Sequence, residues 1–366
     1  MTSNACEPVS SVVVVGAGGN IGSHVVCHVA RFPDLRRITL IDRDRYETRN
    51  LISQDITPAD VGKPKAAVQG RRLRRIRPDL QIDVIVDDIR NIPLGVLRSD
   101  VILACLDSKR ARQYVNEYAW RLGVPWIDSG VEAEGLLARV NVYAPELDTP
   151  CLECSWSQAD YDGLEQSYPC DQARPGEPPP TNAPSSLGAL AAARQAIECR
   201  KVLDGNWNLS AVGRQVTDDA RHHKHYVMEF RRNRQCRFDH GVWDIRKTDW
   251  PVNSLTVGRV LELAQSDSGA ASAFLVHGKP FVTRLICSDC GRTRRLLRLQ
   301  GRLRASRLTC RCGGNMAISE FDLVDRLHTS LLPGSVAERL LCQLGFRAGD
   351  VLSLESESGD AHYELI

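Results

Sequence analysis

The chain has 366 residues, and its 47 lysines and arginines against 45 acids give a formal net charge of +2. This length allows two domains, and the near-neutral balance argues against a surface that binds nucleic acid throughout. The first ten residues lack the basic start and apolar stretch of a secretory leader, and no run reaches the roughly 18–20 apolar residues of a membrane helix. We therefore expect a cytoplasmic protein without a membrane span, whose 13 cysteines are thiols or metal ligands.

Apolar strands alternate with helices along the first 150 residues. The strand sequences are SVVVV, RRITLIDRD, IDVIVDDI, SDVILACLD and VPWIDSGV, and the helix sequences between them include KPKAAVQGRRLRRI and SKRARQYVNEYAWRLG. Continuous apolar strands that alternate with helices are typical of a parallel sheet covered on both faces. The predicted fold class is α/β, a Rossmann-like, doubly wound and mainly parallel sheet.

A glycine-rich turn joins the first strand to the first helix. Its glycines are Gly16, Gly18, Gly19 and Gly22, and such a turn lets a phosphate approach the N–H groups at a helix N-terminus. Asp42 follows Gly22 by 20 residues, where a dinucleotide fold often places its ribose-binding acid. A nicotinamide-dependent dehydrogenase is therefore one alternative, although the last glycine falls one residue late for the G-x-G-x-x-G pattern.

Three later stretches carry a family resemblance: LIDRDRYETRNLISQDITPADVGKPKAAV, ACLDSKRARQYVNEYAWRLGVPWIDSG and DTPCLECSW. In this order they resemble the ThiF/MoeB/HesA superfamily, which includes the ubiquitin-activating enzymes. The resemblance covers roughly residues 11 to 205. It implies ATP and Mg²⁺ as cofactors, and adenylation of the C-terminal glycine of a ubiquitin-like or sulfur-carrier protein.

The resemblance also implies which residues bind the nucleotide. Asp42 would bind the ATP ribose, Asn50 and Gln54 would line the nucleotide pocket, and Lys65 would contact the phosphates, beside the four glycines of the turn. These roles agree with the chemistry of adenylation, because attack of a carboxylate on the α-phosphate requires mainly that the triphosphate be held in line and its charge neutralised. Taken singly, Asp42 could instead cap a helix and Lys65 could be a solvated surface lysine.

Two further residues and one departure complete the expected ATP site. By resemblance, Asp107 would hold magnesium and Arg112 would support the loop that carries it. The family usually has an arginine on the phosphates where this chain has Ser53. Arg43, Arg49 or a second subunit would then have to supply that charge, or turnover would be slow.

The cysteines near the C-terminus have the spacing of a zinc ribbon. The sequences CSDC and CRC frame 19 residues, and two close pairs of thiolates can form a tetrahedral zinc cage. We expect a structural zinc ion bound by Cys287, Cys290, Cys310 and Cys312.

The pair Cys151 and Cys154 matches the first half of a zinc-binding set that many superfamily members carry. Three alternatives stay open. The pair could be vestigial, it could share a second zinc with Cys170 or a histidine of RHHKHY, or it could close on Cys287 and Cys290. The remaining cysteines are expected to be structural: Cys6, Cys27, Cys105, Cys199, Cys236 and Cys342.

Cys170 lies at the start of a proline-rich stretch, SYPCDQARPGEPPPTNAP. In superfamily members that go beyond adenylation, the activated glycine passes to a cysteine on or beside a mobile crossover segment, here expected at about residues 168–186. A nucleophilic thiol must be exposed and able to reach the adenylate, which such a loop allows. We therefore predict Cys170 as the thioester cysteine, with a zinc ligand or an inert thiol as the alternatives.

The resemblance fades beyond about residue 210. The sequence RHHKHYVMEFRRNRQC predicts a strand with basic flanks, NSLTVGRVLELAQSD an amphipathic helix, and AFLVHGKPFVTRLICSDCG a hairpin with a Gly-Lys turn. The end of the chain predicts a helix and two short strands. We expect an adenylation domain over 1–249 and a smaller α+β domain over 250–366, with the zinc ribbon at 285–315.

The preferred function is ATP-dependent activation of a ubiquitin-like protein with a C-terminal glycine. An acyl-adenylate would form first, followed by a thioester on Cys170 and transfer to a conjugating-enzyme-like acceptor. The alternatives are a sulfur-carrier adenylyltransferase without an enzyme thioester, the dehydrogenase, and a nucleic-acid-binding zinc-ribbon protein. The resemblance implies a homodimer.

Clustered arginines could bind nucleic acid, but no aromatic residue lies between Cys290 and Cys310 to stack on bases. The sequence therefore favours a protein partner for the ribbon over nucleic acid.

Overall fold

The computed structural model describes residues 10–147, 149–165, 183–357 and 359–366. It divides into two compact units. The first comprises residues up to 89 together with 97–242, and the second comprises 90–96 together with 243–366. The domain limits expected at 249 and 250 stay a prediction.

The first unit is built on a sheet of eight strands with five helices among its described residues. In chain order its elements are β1 (Ser10–Val15), α1 (Gly22–Val29), β2 (Leu35–Ile41), α2 (Lys65–Ile76), β3 (Gln81–Ile85), β4 (Val101–Ala104), α3 (Lys109–Leu122), β5 (Trp126–Glu132), β6 (Leu137–Tyr143), α4 (Gln158–Glu165), α5 (Ser185–Leu203), β7 (Arg214–Asp219) and β8 (Lys224–Glu229).

The strand order of this sheet is β3-β2-β1-β4-β5-β6-β7-β8. The five strands from β3 to β5 are parallel, and β6, β7 and β8 continue the sheet in antiparallel fashion. The predicted Rossmann-like, mainly parallel fold is confirmed. Because β1 and β4 are adjacent and parallel, the segments that follow them meet at one edge of the sheet, where such folds place their ligands.

Local sequence explains where these elements begin and end. The β-branched run of β1 is buried from Val12 to Val15, as expected for a central strand. At the start of α3 the hydroxyl of Ser108 accepts a hydrogen bond from the Ala111 N–H at 3.4 Å, and the helix ends at Gly123 with φ of 68°. Helix α5 packs closely by its small residues, since a Cβ on Gly188 would lie 1.7 Å from Asn20 Oδ1.

The second unit contains two smaller sheets. Its elements are β9 (Ile245–Lys247), α6 (Val257–Ser268), β10 (Ala273–Val276), β11 (Phe281–Cys287), β12 (Thr293–Leu299), β13 (Met316–Ala317), β14 (Leu323–Val324), β15 (Arg326–His328), α7 (Gly334–Ala337), α8 (Leu341–Leu344), β16 (Val351–Ser356) and β17 (Gly359–Glu364). The five-stranded sheet has the order β15-β10-β16-β17-β9, and the four-stranded sheet has the order β12-β11-β13, with β14 also paired to β11.

The predicted hairpin across the Gly278–Lys279 turn is wrong. Strand β10 pairs with β15 and β16, whereas β11 pairs with β12, β13 and β14. Gly278 does adopt a positive φ of 67° and turns the chain. The turn sends the chain from one sheet into the other, because the partners that complete each sheet come from later in the sequence.

Candidate functional site

The glycine turn lies where β1 and β4 end. Gly16 has a φ of 79°, and a Cβ there would lie 2.3 Å from the Cys105 carbonyl oxygen just after β4. A Cβ on Gly22 would lie 2.0 Å from the Gly16 carbonyl oxygen. Both approaches involve backbone atoms that cannot move aside, so these two positions require glycine. The turn thus brings the N-terminus of α1 to the carboxyl edge of the sheet.

Asp42 ties this turn to the end of β2. One carboxylate oxygen accepts a hydrogen bond from the Gly18 N–H at 2.9 Å, and the other accepts one from the Asp44 N–H at 3.0 Å. Burial raises the pKa of Asp42, while the nearby positive charge of Lys65 and the two N–H donors oppose that rise. Asp42 therefore lies against the turn, and its binding of the ATP ribose stays a prediction.

Lys65, at the start of α2, is buried against the same turn. Only 8% of the residue is exposed, and a Cβ on Gly18 would lie 2.4 Å from the Lys65 Cβ. Its Nζ is 3.6 Å from Asp44 Oδ2 and 5.8 Å from the centre of the Tyr46 ring. The alternative of a solvated surface lysine does not fit this environment. A partly desolvated ammonium beside a glycine turn is suited to binding phosphate oxygens.

Asn50 and Gln54 lie in the segment that follows β2. Asn50 Oδ1 accepts a hydrogen bond from the Glu47 N–H at 2.8 Å and so caps a short 3₁₀ turn. The Oε1 atom of Gln54 is buried and has no hydrogen-bond partner among the described residues. An acceptor left in this state is suited to a donor from a ligand. Gln54 is the better supported of the two as a lining residue of a pocket.

The two arginines expected to replace the missing charge at Ser53 are both engaged with carboxylates. Arg43 Nη1 lies 2.8 Å from Asp88 Oδ2, and Arg49 Nε lies 2.7 Å from Glu47 Oε2. Either side chain would have to leave an acid to reach a phosphate. Which group supplies the charge therefore stays a prediction.

Asp107 follows β4 at the carboxyl edge of the sheet. Its side chain is exposed, and within the described ranges no hydrogen bond or ion pair involves its carboxylate. A carboxylate in this state, next to a glycine turn, suits the hard oxygen ligation that Mg²⁺ prefers. The donor chemistry therefore fits the implied ion.

Arg112 holds the loop that carries Asp107. Its guanidinium donates to the Leu106 carbonyl and, at 3.2 Å, to the Ser129 carbonyl. Its Nε lies 3.0 Å from Asp128 Oδ1, and Arg139 Nη1 lies 2.9 Å from the other oxygen of that carboxylate. Asp128 is completely buried, and its pairing with both arginines fixes the position of Arg112. Neither Asp128 nor Arg139 was predicted from the sequence as part of the site.

A first cluster of potential zinc ligands joins the end of the first unit to its middle. The Sγ atom of Cys151 lies 3.8 Å from that of Cys154 and 3.7 Å from that of Cys236, and Cys154 Sγ lies 3.2 Å from His240 Nε2. Ligands about 2.3 Å from one tetrahedral zinc would lie about 3.8 Å apart. Three sulfurs and an imidazole within 4.8 Å of one another therefore fit zinc.

This cluster corrects the assignment of Cys236 as a structural cysteine. One of the open alternatives was a second zinc shared with Cys170 or a histidine of RHHKHY, and the ligands that the structure places beside Cys151 and Cys154 are Cys236 and His240. The signal was available in the sequence as CRFDH, a cysteine and a histidine separated by three residues. The hydrogen bond from Cys151 lowers the pKa of the Cys154 thiol to about 4, which favours the thiolate that binds metal.

The second cluster is the expected ribbon. Cys287 Sγ lies 3.5 Å from Cys312 Sγ, and Cys290 Sγ lies 3.7 Å from Cys310 Sγ. All four sulfurs lie within 4.8 Å of one another, so this set could also hold zinc. Both clusters supply four protein ligands and leave no open position, which is the arrangement of a structural zinc site.

Metal analysis of the purified chain should find about two zinc ions per molecule, since each four-ligand cluster fits one ion. Replacing Cys236 by serine should lower the content to about one, and Cys310→Ser should do the same independently. Cys342→Ser serves as the control, because Cys342 is a half-buried free thiol outside both clusters. A Cys236→Ser variant that keeps both ions would contradict the first site.

Cys170, the predicted thioester cysteine, lies outside the described residues, as does Cys6. Two of the described thiols, Cys105 and Cys199, are unsuited to the role. Burial raises the pKa of the Cys105 thiol to about 12, and Cys199 is completely buried with its pKa also raised by burial. A thiol that stays protonated and inaccessible is a poor nucleophile.

Comparison with known proteins shows where this architecture occurs elsewhere. The profile described as the ThiF family matches residues 9–238, which is more than half of the chain. The sulfur carrier protein ThiS adenylyltransferase of Escherichia coli is 29% identical over 199 residues, covering 54% of this chain and 73% of that protein. The NEDD8-activating enzyme E1 catalytic subunit of Saccharomyces cerevisiae is 29% identical, covering 39% of this chain and 50% of that protein.

Two further comparisons concern shorter or more distant likenesses. The ubiquitin-like modifier-activating enzyme 5 of Xenopus laevis is 28% identical, with 40% of this chain and 39% of that protein covered. The chain thus spans half or less of the yeast and Xenopus proteins. The crystal structure of Escherichia coli MccB with succinimide superposes with a TM-score of 0.52 at 24% identity, covering 62% of this chain and 66% of that one. This likeness shows the fold.

Among the described residues, every helix falls short of the length or the apolar character that a bilayer span requires.

Proposed function

Because this chain belongs to the ThiF family, we propose that it is an ATP-dependent adenylyltransferase that activates the C-terminus of a small carrier protein. The observation that carries the proposal is the grouping of Lys65, the glycine turn and Asp42 at the edge of the sheet where Asp107 also lies, a carboxylate without an ion pair among the described residues. This edge supplies N–H donors, an ammonium and a carboxylate suited to a metal ion. Those are the groups that a triphosphate requires.

The chemistry follows from this placement. A carboxylate oxygen of the carrier attacks the α-phosphorus of ATP, a new C–O–P bond forms, and the bond to pyrophosphate breaks, so no proton has to move. Lys65 and the N-terminus of α1 would hold the phosphate oxygens, because the N–H groups of residues 16–19 are already donated within the protein, and Asp107 would hold Mg²⁺. The ion, when bound, neutralises charge on the triphosphate. Arg112, fixed by Asp128, keeps the Asp107 loop in place.

Isotope exchange between pyrophosphate and ATP tests this proposal. Candidate carriers are Escherichia coli ThiS, ubiquitin, NEDD8 and the MccA peptide, each compared with a version that lacks the C-terminal residue. We expect exchange with at least one intact carrier and none with its truncated form. Tight NADH binding without exchange for any carrier would favour the dehydrogenase and contradict the proposal.

We also propose that Cys170 accepts the activated carrier as a thioester, with release of AMP and loss of the thiol proton to solvent. The likeness to two E1-type activating enzymes supports this step, whereas the likeness to the ThiS adenylyltransferase supports an enzyme that stops at the adenylate. The sulfur-carrier function is therefore the second candidate. The homodimer and the acceptor protein stay predictions.

Replacing Cys170 by serine should leave pyrophosphate exchange within about twofold of the parent and abolish the conjugate that dithiothreitol cleaves. The reason is that adenylation does not use the thiol, whereas the thioester does. Non-reducing gels with and without dithiothreitol measure the conjugate, and Cys342→Ser is the matched control. A reducible conjugate that persists in Cys170→Ser would assign the thioester to another cysteine.

A further inference from the structure

The zinc ribbon carries a strong local positive charge. Residues 291–311 contain eight arginines, no lysine and no acid, although the whole chain has a net charge of only +2. One of the eight, Arg302, is buried and lies 3.4 Å from Asp350 Oδ1. Within the described part of the chain, none of the other seven has a carboxylate within 4 Å.

Five of these arginines lie on β12 and the segment that follows it, and we call this set the ribbon patch: Arg294, Arg295, Arg298, Arg304 and Arg307. The guanidinium of Arg294 donates to the Arg307 carbonyl at 2.8 Å, and that of Arg298 donates to the Arg302 carbonyl at 2.8 Å. These contacts draw the β12 strand and the segment after it together. Burial lowers the pKa of Arg298, and repulsion from Arg304 and Arg307 lowers it further.

A comparison with the other arginine cluster shows that this arrangement is unusual within the chain. Helix α2 is also rich in arginine, but neighbouring acids pair with part of its charge. Arg71 lies 3.7 Å from Asp60, and Arg72 forms an ion pair with Asp55. The sequence shows two basic clusters, and among the described residues acids pair with arginines of the first and with none of the ribbon patch. An array of guanidinium groups without acids implies an anionic partner outside the chain.

The position of the patch makes it accessible. Strand β12 forms an edge of the four-stranded sheet, and Arg295, Arg304 and Arg307 are exposed. Arg295 stands opposite Arg284 in the strand register, and Arg284 is already held by Asp322 at 2.9 Å. Like charges directly opposite each other destabilise a sheet, so the presence of Arg295 opposite Arg284 lowers the stability of this sheet.

We propose that the ribbon patch binds the phosphodiester backbone of a double-helical nucleic acid. Guanidinium groups pair with phosphate in a bidentate manner, and a duplex presents phosphates at the density that such an array can neutralise. Because no aromatic residue lies between Cys290 and Cys310, this segment lacks the aromatic side chains on which unpaired bases usually stack. That absence, which turned the sequence analysis toward a protein partner, argues against a single strand. It does not argue against a duplex, whose bases stack on one another.

Fluorescence anisotropy with the zinc-loaded full chain tests the proposal. The probes are a DNA duplex and an RNA duplex of about 20 base pairs, the corresponding single strand, and a poly-glutamate peptide. We expect both duplexes to bind more tightly than the single strand, with log K falling by about three to five per decade of salt concentration. A preference between DNA and RNA would identify the source of the duplex and support the proposal.

The decisive variant is Arg295→Glu/Arg304→Glu/Arg307→Glu. In the described residues these three side chains make no hydrogen bond or ion pair, so zinc content and pyrophosphate exchange should not change. Duplex affinity should fall at least about 30-fold and the salt slope should decrease by about three. The corresponding lysine variant should retain most of the binding, because the charge remains.

The matched control is Arg36→Glu/Arg74→Glu/Arg75→Glu, which changes the net charge equally on exposed residues of the first unit. Its duplex affinity should stay within about threefold of the parent if binding is local to the ribbon. Equal losses in both triple variants would overturn the proposal. So would the absence of duplex binding at about 50 mM salt, tighter binding of the single strand, or binding of poly-glutamate alone, which would indicate an acidic protein partner.

Discussion

Replacing Asp107 by asparagine should lower carrier-dependent pyrophosphate exchange by about 100- to 1,000-fold. The amide has nearly the same shape but no charge, so it cannot help to hold the metal ion that neutralises the triphosphate. Stability should change little, because the Asp107 side chain is exposed and makes no hydrogen bond or ion pair with the described residues. The exchange rate at saturating ATP, together with the melting temperature, measures both effects.

The control for this variant is Asp79→Asn. Asp79 is exposed and forms an ion pair with Arg77 at 3.3 Å, so its replacement removes one surface charge outside the proposed site. Exchange by this control should equal that of the parent. If Asp107→Asn exchanged as fast as Asp79→Asn, Asp107 would not be part of the reaction site.

Replacing Asp128 by alanine should cost about 3–5 kcal/mol of unfolding free energy in the first unit. Asp128 is completely buried between Arg112 and Arg139, whose side chains are only 14% and 30% exposed. Removing the acid leaves both guanidinium groups poorly solvated and without their shared counter-charge. Urea denaturation, followed by tryptophan fluorescence and circular dichroism, measures the loss.

Asp83→Ala provides the matched comparison. It breaks the exposed pair between Arg37 and Asp83, whose side chains are 53% and 36% exposed, and should cost less than about 1 kcal/mol. Similar losses in the two variants would mean that Asp128 acts as an ordinary surface acid. The Asp128 variant should also exchange pyrophosphate more slowly at temperatures where it stays folded, because Arg112 loses one of the groups that fix it beside the Asp107 loop.

The parallel half of the first sheet could be predicted because its strands are continuous apolar runs. Val12 to Val15 are buried on both faces, and a strand in that environment consists of apolar residues throughout. The ribbon could be predicted for a different reason. Two close pairs of cysteines are almost specific to zinc, whatever fold surrounds them.

Long-range pairing was harder to predict. The Gly278–Lys279 turn has the local chemistry of a hairpin, but β10 finds its partners β15 and β16 about 50 to 80 residues later. In the same way, Cys236 and His240 join Cys151 from more than 80 residues away. Local patterns do not encode which distant segment completes a site.

The sequence also did not show whether a charged side chain is buried or paired with an opposite charge. Lys65 reads as a surface lysine, yet it is buried against Gly18 because that position has no side chain. The two arginine clusters look alike as sequences. Only the structure shows that acids pair with part of the helix α2 cluster and, among the described residues, with none of the ribbon patch.

Direct detection of the acyl-adenylate tests the central claim most directly. The purified chain is mixed with ATP, Mg²⁺ and the carrier that supports exchange, quenched rapidly and analysed by intact mass spectrometry. The account predicts a carrier species heavier by one AMP, which is absent with the truncated carrier and strongly reduced with Asp107→Asn. A carrier that turns over ATP without ever gaining AMP would contradict it.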